Sequence, residues 1–369
     1  MSDSPEDEEE NWFRPVWETE DELDPPGRPQ PRKALAEPDY GHPLLTPLAR
    51  AQDAVARLEA KAEMASPTVV EGLRARLSYL EAAGWLSGAH TWIHPLDLAL
   101  RDYKAVASYG AAARGDRLAT VLPETVAQHA DLDHVVETGA IGLDTATDRA
   151  LNLARMWRRL SELHTWQPLT DAEAVQKTLQ SLGFGRVEHG VIEDWLVGVY
   201  GREKGPDLIR AGRAARNWTC QPGVRDKDPD GMFLGVCLWC DKNRKAPIPV
   251  PFWCAPEQYH LRLGLKIGLD WMAQFLECVT AAAQIGLCEL ARLLEAEKKG
   301  ADLGATARSY LPAALDVVLR TPVVTADSLA KALQVTPRAA LGLLQQLMAA
   351  GVVREATGRA SWRAFVLER

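Results

Sequence analysis

Residues 321–369 read TPVVTADSLAKALQVTPRAALGLLQQLMAAGVVREATGRASWRAFVLER. Thr325 is a good N-cap for a short helix, because its hydroxyl can accept a free backbone N–H. Asp327 then falls in the first turn, where the helix dipole favours an anion. Leu329, Ala330 and Leu333 share one face of this helix, as expected for an amphipathic segment. The pattern therefore predicts a helix that begins after Thr325.

A second helix is predicted after a turn at Gln334 and Val335. Thr336 caps it and Pro337 takes the first helical position, where no N–H is needed. Gly351 follows the helix as its C-cap. The apolar face contains Ala340, Leu343, Leu344 and Leu347, and the opposite face contains Arg338, Ala339, Gly342, Gln345 and Gln346.

A basic hairpin ends the segment. Residues 352–355 and 362–366 favour strands, and residues 357–361 join them. Helix, turn, helix and hairpin in this order are typical of a winged helix-turn-helix, which usually places its second helix in the major groove of DNA. The predicted fold class is therefore mainly α, with a multi-helix body and a C-terminal winged helix-turn-helix.

Candidate contacts to double-stranded DNA lie on the second helix and on the wing. Arginine and glutamine can bind base edges, and arginine also binds phosphates. The residues predicted to contact the groove are Thr336, Arg338 and Gln345, and those predicted to contact phosphates are Arg354, Arg359 and Arg363. Six bases and three acids give residues 321–369 a formal charge of +3. This excess is modest for DNA binding, so protein docking remains the alternative.

The formal net charge of the whole chain is −8, and its acidity is concentrated at the N-terminus. Residues 1–24 contain eleven acids and the single base Arg14, so the remaining residues carry a net charge of +2. We expect residues 1–43, which are acidic and then proline-rich, to be a disordered tail. Its aromatic residues Trp12, Phe13 and Trp17 suit a protein partner, but a solvated tail with no fixed role is favoured. A further hypothesis is that the tail competes with DNA for the winged helix.

The length of 369 residues suggests two or three domains. The predicted division is the tail at 1–43, a helical domain at 44–204, a Trp/Pro-rich connection with a long helix at 205–300, and the winged helix-turn-helix at 301–369. The sequence contains no apolar run long enough to span a bilayer, and its start is unlike a secretory signal. We therefore expect a cytoplasmic protein with no membrane partner.

Helical periodicity dominates the body. Helices are predicted at 45–64, 67–83, 94–103, 145–164, 171–182 and 189–200, with a break at 84–91. Residues 205–256 lack clear periodicity and contain many Trp and Pro residues, so they predict an ordered, aromatic-packed connection. A long helix is then predicted from Pro256 to about Lys299, and it suits core packing, a domain linker or a homodimer interface.

No enzymatic motif is present. The sequence lacks GxxxxGK[ST], GxGxxG, GxSxG and HExxH, and no nucleophile can be paired with a base. A zinc site at Cys220, Cys237, Cys240 and Cys254 is the minor alternative to buried free thiols, because the close pair of cysteines occurs only once. His129, Asp131, Asp133 and His134 are close together, but a solvated polar segment is favoured over a metal site. The prediction is a protein without catalytic residues or cofactor.

Several segments resemble a bacterial family, often plasmid-borne in plant-associated species, that joins a domain of unknown function to a C-terminal helix-turn-helix. The matching segments are PLARAQDAVARLE from Pro47, EGLRARLSYLEAAGWLSGAHTWIHPLDLALRDY from Glu71, PFWCAPEQYHLRLGLKIGLDWMAQFLECV from Pro251, and the terminal module. The resemblance implies a DNA-binding protein and supplies no catalytic residues. The TGR…FV wing is also similar to that of some Fic-type proteins. However, His94-Pro95-Leu96-Asp97 is not followed by their HxFx[D/E]GNGR loop, so Fic chemistry is not implied.

Overall fold

The structure is a computed structural model that describes residues 42–103, 143–162, 166–185, 187–201, 205–222, 224, 228–240, 248–249, 251–256, 259–260, 263, 266–303, 309–356 and 363–368. The described residues from Thr46 onward belong to one compact unit. Its described residues form twelve α-helices and one three-stranded sheet. The predicted fold class, mainly α with a C-terminal winged helix-turn-helix, is confirmed.

The helices are α1 (Leu45–Glu63), α2 (Pro67–Gly88), α3 (Pro95–Asp102), α4 (Leu143–Arg159), α5 (Ala172–Leu182), α6 (His189–Gly201), α7 (Asp207–Thr219), α8 (Asp230–Trp239), α9 (Gly268–Ala301), α10 (Leu311–Arg320), α11 (Ala326–Leu333) and α12 (Pro337–Ala349). A short 3-10 turn, Leu160–Glu162, continues α4. The strands are β1 (Val324–Thr325), β2 (Val353–Glu355) and β3 (Ala364–Leu367).

Helix α2 is at the centre of the body and contacts α3, α4, α9 and α10. Ser66 caps its start, because the Ser66 hydroxyl accepts the Val69 N–H at 3.3 Å. A polar cluster joins it to two neighbours. The Tyr79 hydroxyl donates to Asp102 at the end of α3, and Arg155 on α4 approaches the same carboxylate at 2.6 Å. The Asp102 carboxylate therefore joins α3 to α2 through the Tyr79 hydroxyl and to α4 through the Arg155 ion pair.

The predicted break at 84–91 is wrong at its first residues, because α2 continues to Gly88. The flanking Ala83, Trp85 and Leu86 are buried, and this packing outweighs the low helix propensity of glycine. Gly84 itself is required here for a close approach. A Cβ atom at this position would overlap the carbonyl oxygen of Trp253.

The predicted connection at 205–256 contains two helices, α7 and α8, that the periodicity did not indicate. All ten residues of α8 are buried, so it has no polar face that would create a helical period. Small residues allow α7 and α8 to pack closely. A Cβ on Gly235 would lie 2.7 Å from the Ala211 carbonyl oxygen. Trp218 donates an indole N–H to Asp230 at 2.8 Å, which fixes the start of α8.

The remaining boundaries differ by smaller amounts. Helix α9 begins at Gly268, which has a φ of +58°, rather than at Pro256, and it ends at Ala301. Helix α4 starts at Leu143, two residues before the predicted start. The predicted tail up to residue 41 and the segment from His129 to His134 lie outside the described residues. Among the helices that the structure describes, none is long and apolar enough to cross a membrane.

Candidate nucleic-acid interface

The C-terminal module contains three helices, α10, α11 and α12, packed on the three-stranded sheet. The strand order is β1-β3-β2, with antiparallel pairs such as Val324 opposite Phe365 and Arg354 opposite Val366. Helix α10 and strand β1 were not predicted from the sequence, and the two wing strands begin one or two residues later than predicted. Together these elements complete a winged helix-turn-helix.

Side-chain caps fix the two helices of the turn. Thr325 and Ser328 form a reciprocal capping box at the start of α11, with the Ser328 N–H 3.1 Å from the Thr325 hydroxyl. Gln334 ends α11 in the left-handed conformation, with a φ of +54°. The Thr336 hydroxyl then accepts the Ala339 N–H at 3.3 Å and caps α12. Both predicted caps are therefore present.

The end of α12 is closed by backbone hydrogen bonds around Gly351. Gly351 has a φ of +67°, a conformation that glycine adopts readily. Its N–H donates to the Met348 carbonyl at 3.0 Å, and the Val352 N–H donates to the Leu347 carbonyl at 2.9 Å. These two bonds form a Schellman motif, so α12 leads directly into the wing.

Helix α12 has one buried face and one exposed face. Ala340, Leu344 and Leu347 are fully buried, whereas Leu343, predicted with them, is half-buried. The predicted opposite face is exposed at Arg338, Ala339, Gln345 and Gln346, and half-buried at Gly342. Arg338 is the only charged residue in the sequence of α12. Arg338 and Gln345 can therefore approach a ligand from solvent.

The three wing arginines are in different environments. Arg354 is half-buried and lines a cavity between the wing and the body. Arg363 is half-buried and lies 3.7 Å from the Glu355 carboxylate, which offsets its charge. Arg359 lies outside the described residues. The structure therefore does not bring Arg354 and Arg363 together on an exposed edge.

A buried arginine joins the C-terminal module to the body. Arg76 on α2 donates to the carbonyl oxygens of Leu319 at 2.6 Å, Val318 at 3.1 Å and Thr321 at 3.0 Å. These carbonyls are at the end of α10, where backbone acceptors lack helical partners and the dipole favours a cation. Burial lowers the pKa of Arg76 to about 10, so the guanidinium remains charged at neutral pH. Arg76 of α2 therefore acts as a charged C-cap for α10.

Sequence reasoning missed Arg76, although a signal for it was present. Arg76 occurs on the same helical face as Leu73, Leu77 and Leu80, where a charged side chain requires partners in the fold. Gly72, one turn earlier, allows the close contact. A Cβ on Gly72 would overlap the Leu319 carbonyl oxygen. The position of the C-terminal module on the body thus depends on two residues of α2.

The cysteines considered for zinc are not assembled into a metal site. Among the described residues, no group of three His, Cys, Asp or Glu side chains could hold a metal ion. Cys237 and Cys240 are buried, Cys254 is partly buried and Cys220 is exposed. Burial raises the pKa of the Cys237 and Cys254 thiols well above the usual range, which favours the neutral thiol.

Comparisons with known proteins identify one part of the chain. A family model described as an HTH DNA binding domain matches residues 311–367, from the start of α10 to the end of β3. The comparison with curated proteins finds no match. A crystal structure of a Fic family protein from Desulfovibrio desulfuricans G20 is 12% identical and has a TM-score of 0.44, covering 88% of this chain and 95% of that one. That TM-score is too low to support an argument. The chain thus has a C-terminal helix-turn-helix domain similar to DNA-binding domains.

Proposed function

We propose that this protein is a cytoplasmic, non-catalytic DNA-binding regulator of transcription or of plasmid functions. The observation that carries the proposal is the exposed face of α12. Its backbone is fixed by the Thr336 cap and the Gly351 turn, and Arg338 and Gln345 are free of the buried core. A rigid helix that presents such side chains suits insertion into the major groove.

The proposed roles follow the position of each side chain. Arg338 and Gln345 contact base edges, and Thr336 supports the approach at the start of α12. Arg359 and Arg363 contact phosphates, and Arg363 exchanges its Glu355 partner for phosphate on binding. Arg354 is retained as a phosphate candidate, although it is half-buried. The helical body senses a signal or assembles the protein. The proposal also includes domain boundaries after residues 43, 204 and 300.

Fluorescence anisotropy with a random duplex tests the proposal. The full chain and a chain lacking residues 1–40 are titrated over a series of salt concentrations. We expect affinity to fall linearly with the logarithm of salt, with a slope of about −0.9 per phosphate neutralised. Tighter binding by the shortened chain at low salt would support competition by the acidic tail. Salt-independent signals from both chains would contradict DNA binding.

A second candidate function is a protein-assembly adaptor whose winged helix docks protein. The observation that favours it is the low charge of α12, which has Arg338 as its one charged residue and exposes Met348 by 40%. Such a surface is better suited to contact with a protein than to contact with the DNA phosphate backbone. In the titration above, an adaptor shows no salt-dependent DNA binding. Sedimentation of the full chain then tests whether its partner is a second copy.

A further inference from the structure

A cavity of about 200 Å³ lies in the helical body, between the C-terminal half of α2 and the segments before α3 and after α8. Its wall includes three rings, those of Trp92, Trp253 and His260, and the aliphatic side chains of Leu80, Ala83 and Ile93. The side chain of Trp92 is 43% exposed, so solvent reaches the cavity there. An apolar cavity of about 150 Å³ in another protein holds benzene. The volume therefore suits one small aromatic molecule.

Contacts within the chain hold the aromatic wall in place. The rings of Trp253 and His260 are stacked, with their centroids 4.9 Å apart. The Nε2 atom of His260 lies 3.2 Å from the Ala255 carbonyl oxygen, which fixes the imidazole. A Cβ on Gly88 of α2 would lie 3.2 Å from the indole ring of Trp253, so the helix lies against that ring. The wall is therefore formed before a ligand binds, which lowers the entropic cost of binding.

The lining is uncharged at neutral pH. None of the described residues that line the cavity is an aspartate, glutamate, lysine or arginine. Burial lowers the pKa of the His260 imidazole to about 4, and burial raises the pKa of the Cys254 thiol well above its usual range, so both side chains are neutral. An ionic ligand would lose its hydration here without gaining an opposite charge. The cavity therefore favours an uncharged ligand.

Ser87 of α2 supplies a hydrogen-bonding group that a ligand can reach. Its side chain is half-buried at the cavity, and its hydroxyl is accessible and has no hydrogen-bond partner among the described residues. The Nε1 atom of Trp253 and the Nδ1 atom of His260, by contrast, are enclosed by protein atoms and closed to a ligand. A hydroxyl both donates and accepts, so Ser87 can pair with an O–H or an N–H group.

We propose that this cavity binds a small uncharged aromatic molecule with one O–H or N–H group, of the size of phenol or indole. The ring packs against Trp92 and Trp253, and the polar group bonds to the Ser87 hydroxyl. Aromatic rings favour one another in edge-to-face and offset stacked arrangements, so these walls prefer an aromatic ligand to an aliphatic one. Binding does not rest on the proposed DNA-binding function, because the described lining residues all precede the helix-turn-helix domain.

Isothermal titration calorimetry of the full chain tests the site with phenol, toluene and benzoate. Phenol and toluene contain the same ring, but toluene cannot form the hydrogen bond, and benzoate carries a charge. We expect phenol to bind about threefold to tenfold more tightly than toluene, as expected for one neutral hydrogen bond. Benzoate should bind more weakly than either. No binding of phenol, or benzoate binding as tight as that of phenol, would overturn the proposal.

Ser87→Ala removes the hydroxyl and leaves the aromatic wall unchanged. Phenol should bind this variant about threefold to tenfold more weakly than it binds the wild type, whereas the affinity for toluene should not change. Ser181→Ala, at an exposed helical serine of α5, is the matched control and should bind both ligands as the wild type does. Equal phenol affinity in Ser87→Ala and the wild type would overturn the proposal.

Trp92→Ala removes an exposed part of the aromatic wall, so the variant should still fold. We expect both phenol and toluene to bind it about fivefold or more weakly, because each loses a ring contact. Tyr310→Ala removes another exposed aromatic side chain, at the start of α10, and should change neither affinity. Wild-type affinity for both ligands in Trp92→Ala would show that the ring binds elsewhere and would overturn the proposal.

Discussion

The guanidinium of Arg76 lies 2.6 Å from the carbonyl oxygen of Leu319, although 243 positions separate the two residues. We expect Arg76→Met to lower the free energy of unfolding by at least about 3 kcal/mol, because several buried carbonyls lose their donor. Urea denaturation measures the change. The exposed Arg57→Met should change stability by less than about 1 kcal/mol. A loss as small as the control's would show that Arg76 does not hold the module.

Gly72→Ala tests the close approach of α2 to α10. The added methyl group would overlap the Leu319 carbonyl, so one helix must move, and we expect a loss of about 1–3 kcal/mol. Gly198→Ala is the matched control. It is helical and has no atom within 4 Å of the added Cβ, so it should stabilise the protein by about 0.5–1 kcal/mol. Thermal unfolding compares the two, and similar shifts in both would contradict the packing argument.

Thr336→Ala removes the hydroxyl that caps α12. We expect a loss of about 1 kcal/mol, because the Ala339 N–H loses its acceptor. Thr336→Ser retains the hydroxyl and should remain within about 0.5 kcal/mol of the wild type. Chemical denaturation of both variants is the measurement. If the serine variant is as unstable as the alanine variant, the threonine methyl group rather than the cap is responsible.

Arg338→Ala and Arg359→Ala should weaken DNA binding in different ways. Arg338 is exposed on α12, and its loss should cost about 1–3 kcal/mol on the preferred sequence while relaxing specificity. Loss of Arg359 should weaken all sequences alike and reduce the salt slope by about 1. Protection mapping on the protein's own genomic neighbourhood supplies the preferred sequence. Equal losses on specific and random duplexes for both variants would contradict these roles.

Glu81 should make stability depend on pH. Burial raises the pKa of its carboxyl to about 8, despite hydrogen bonds from the backbone N–H groups of Phe252, Cys254 and Trp253. The folded protein therefore binds a proton that the unfolded chain releases, and stability falls as pH rises from about 4.5 towards 8, by at most about 1.4 kcal/mol per pH unit. Glu81→Gln should flatten this slope, and the exposed Glu63→Gln should not. Parallel slopes in denaturation series at several pH values would contradict the prediction.

Local signals in the sequence were sufficient to predict the helix caps and most of the apolar face of α12. Thr325, Thr336 and Gly351 act within one turn of their position, so their roles follow from residue type and spacing. Helix α8 could not be found this way, because a helix buried on every side has no period. The same limit applies to Gly84 and Arg76, whose partners are far away in the chain. The roles of Arg338 and Gln345 remain predictions, since exposure alone does not identify a ligand.

The Arg76 contact also has a consequence for the synthesis of the chain. A ribosome completes α2 long before it reaches α10, so the guanidinium emerges well ahead of its carbonyl acceptors. In chains that stop before residue 311, Arg76 lacks its carbonyl acceptors, and the surface of α2 that α10 contacts is left uncovered. We expect such fragments to aggregate or to be degraded. We therefore expect that the helical body does not fold stably when the C-terminal domain is removed.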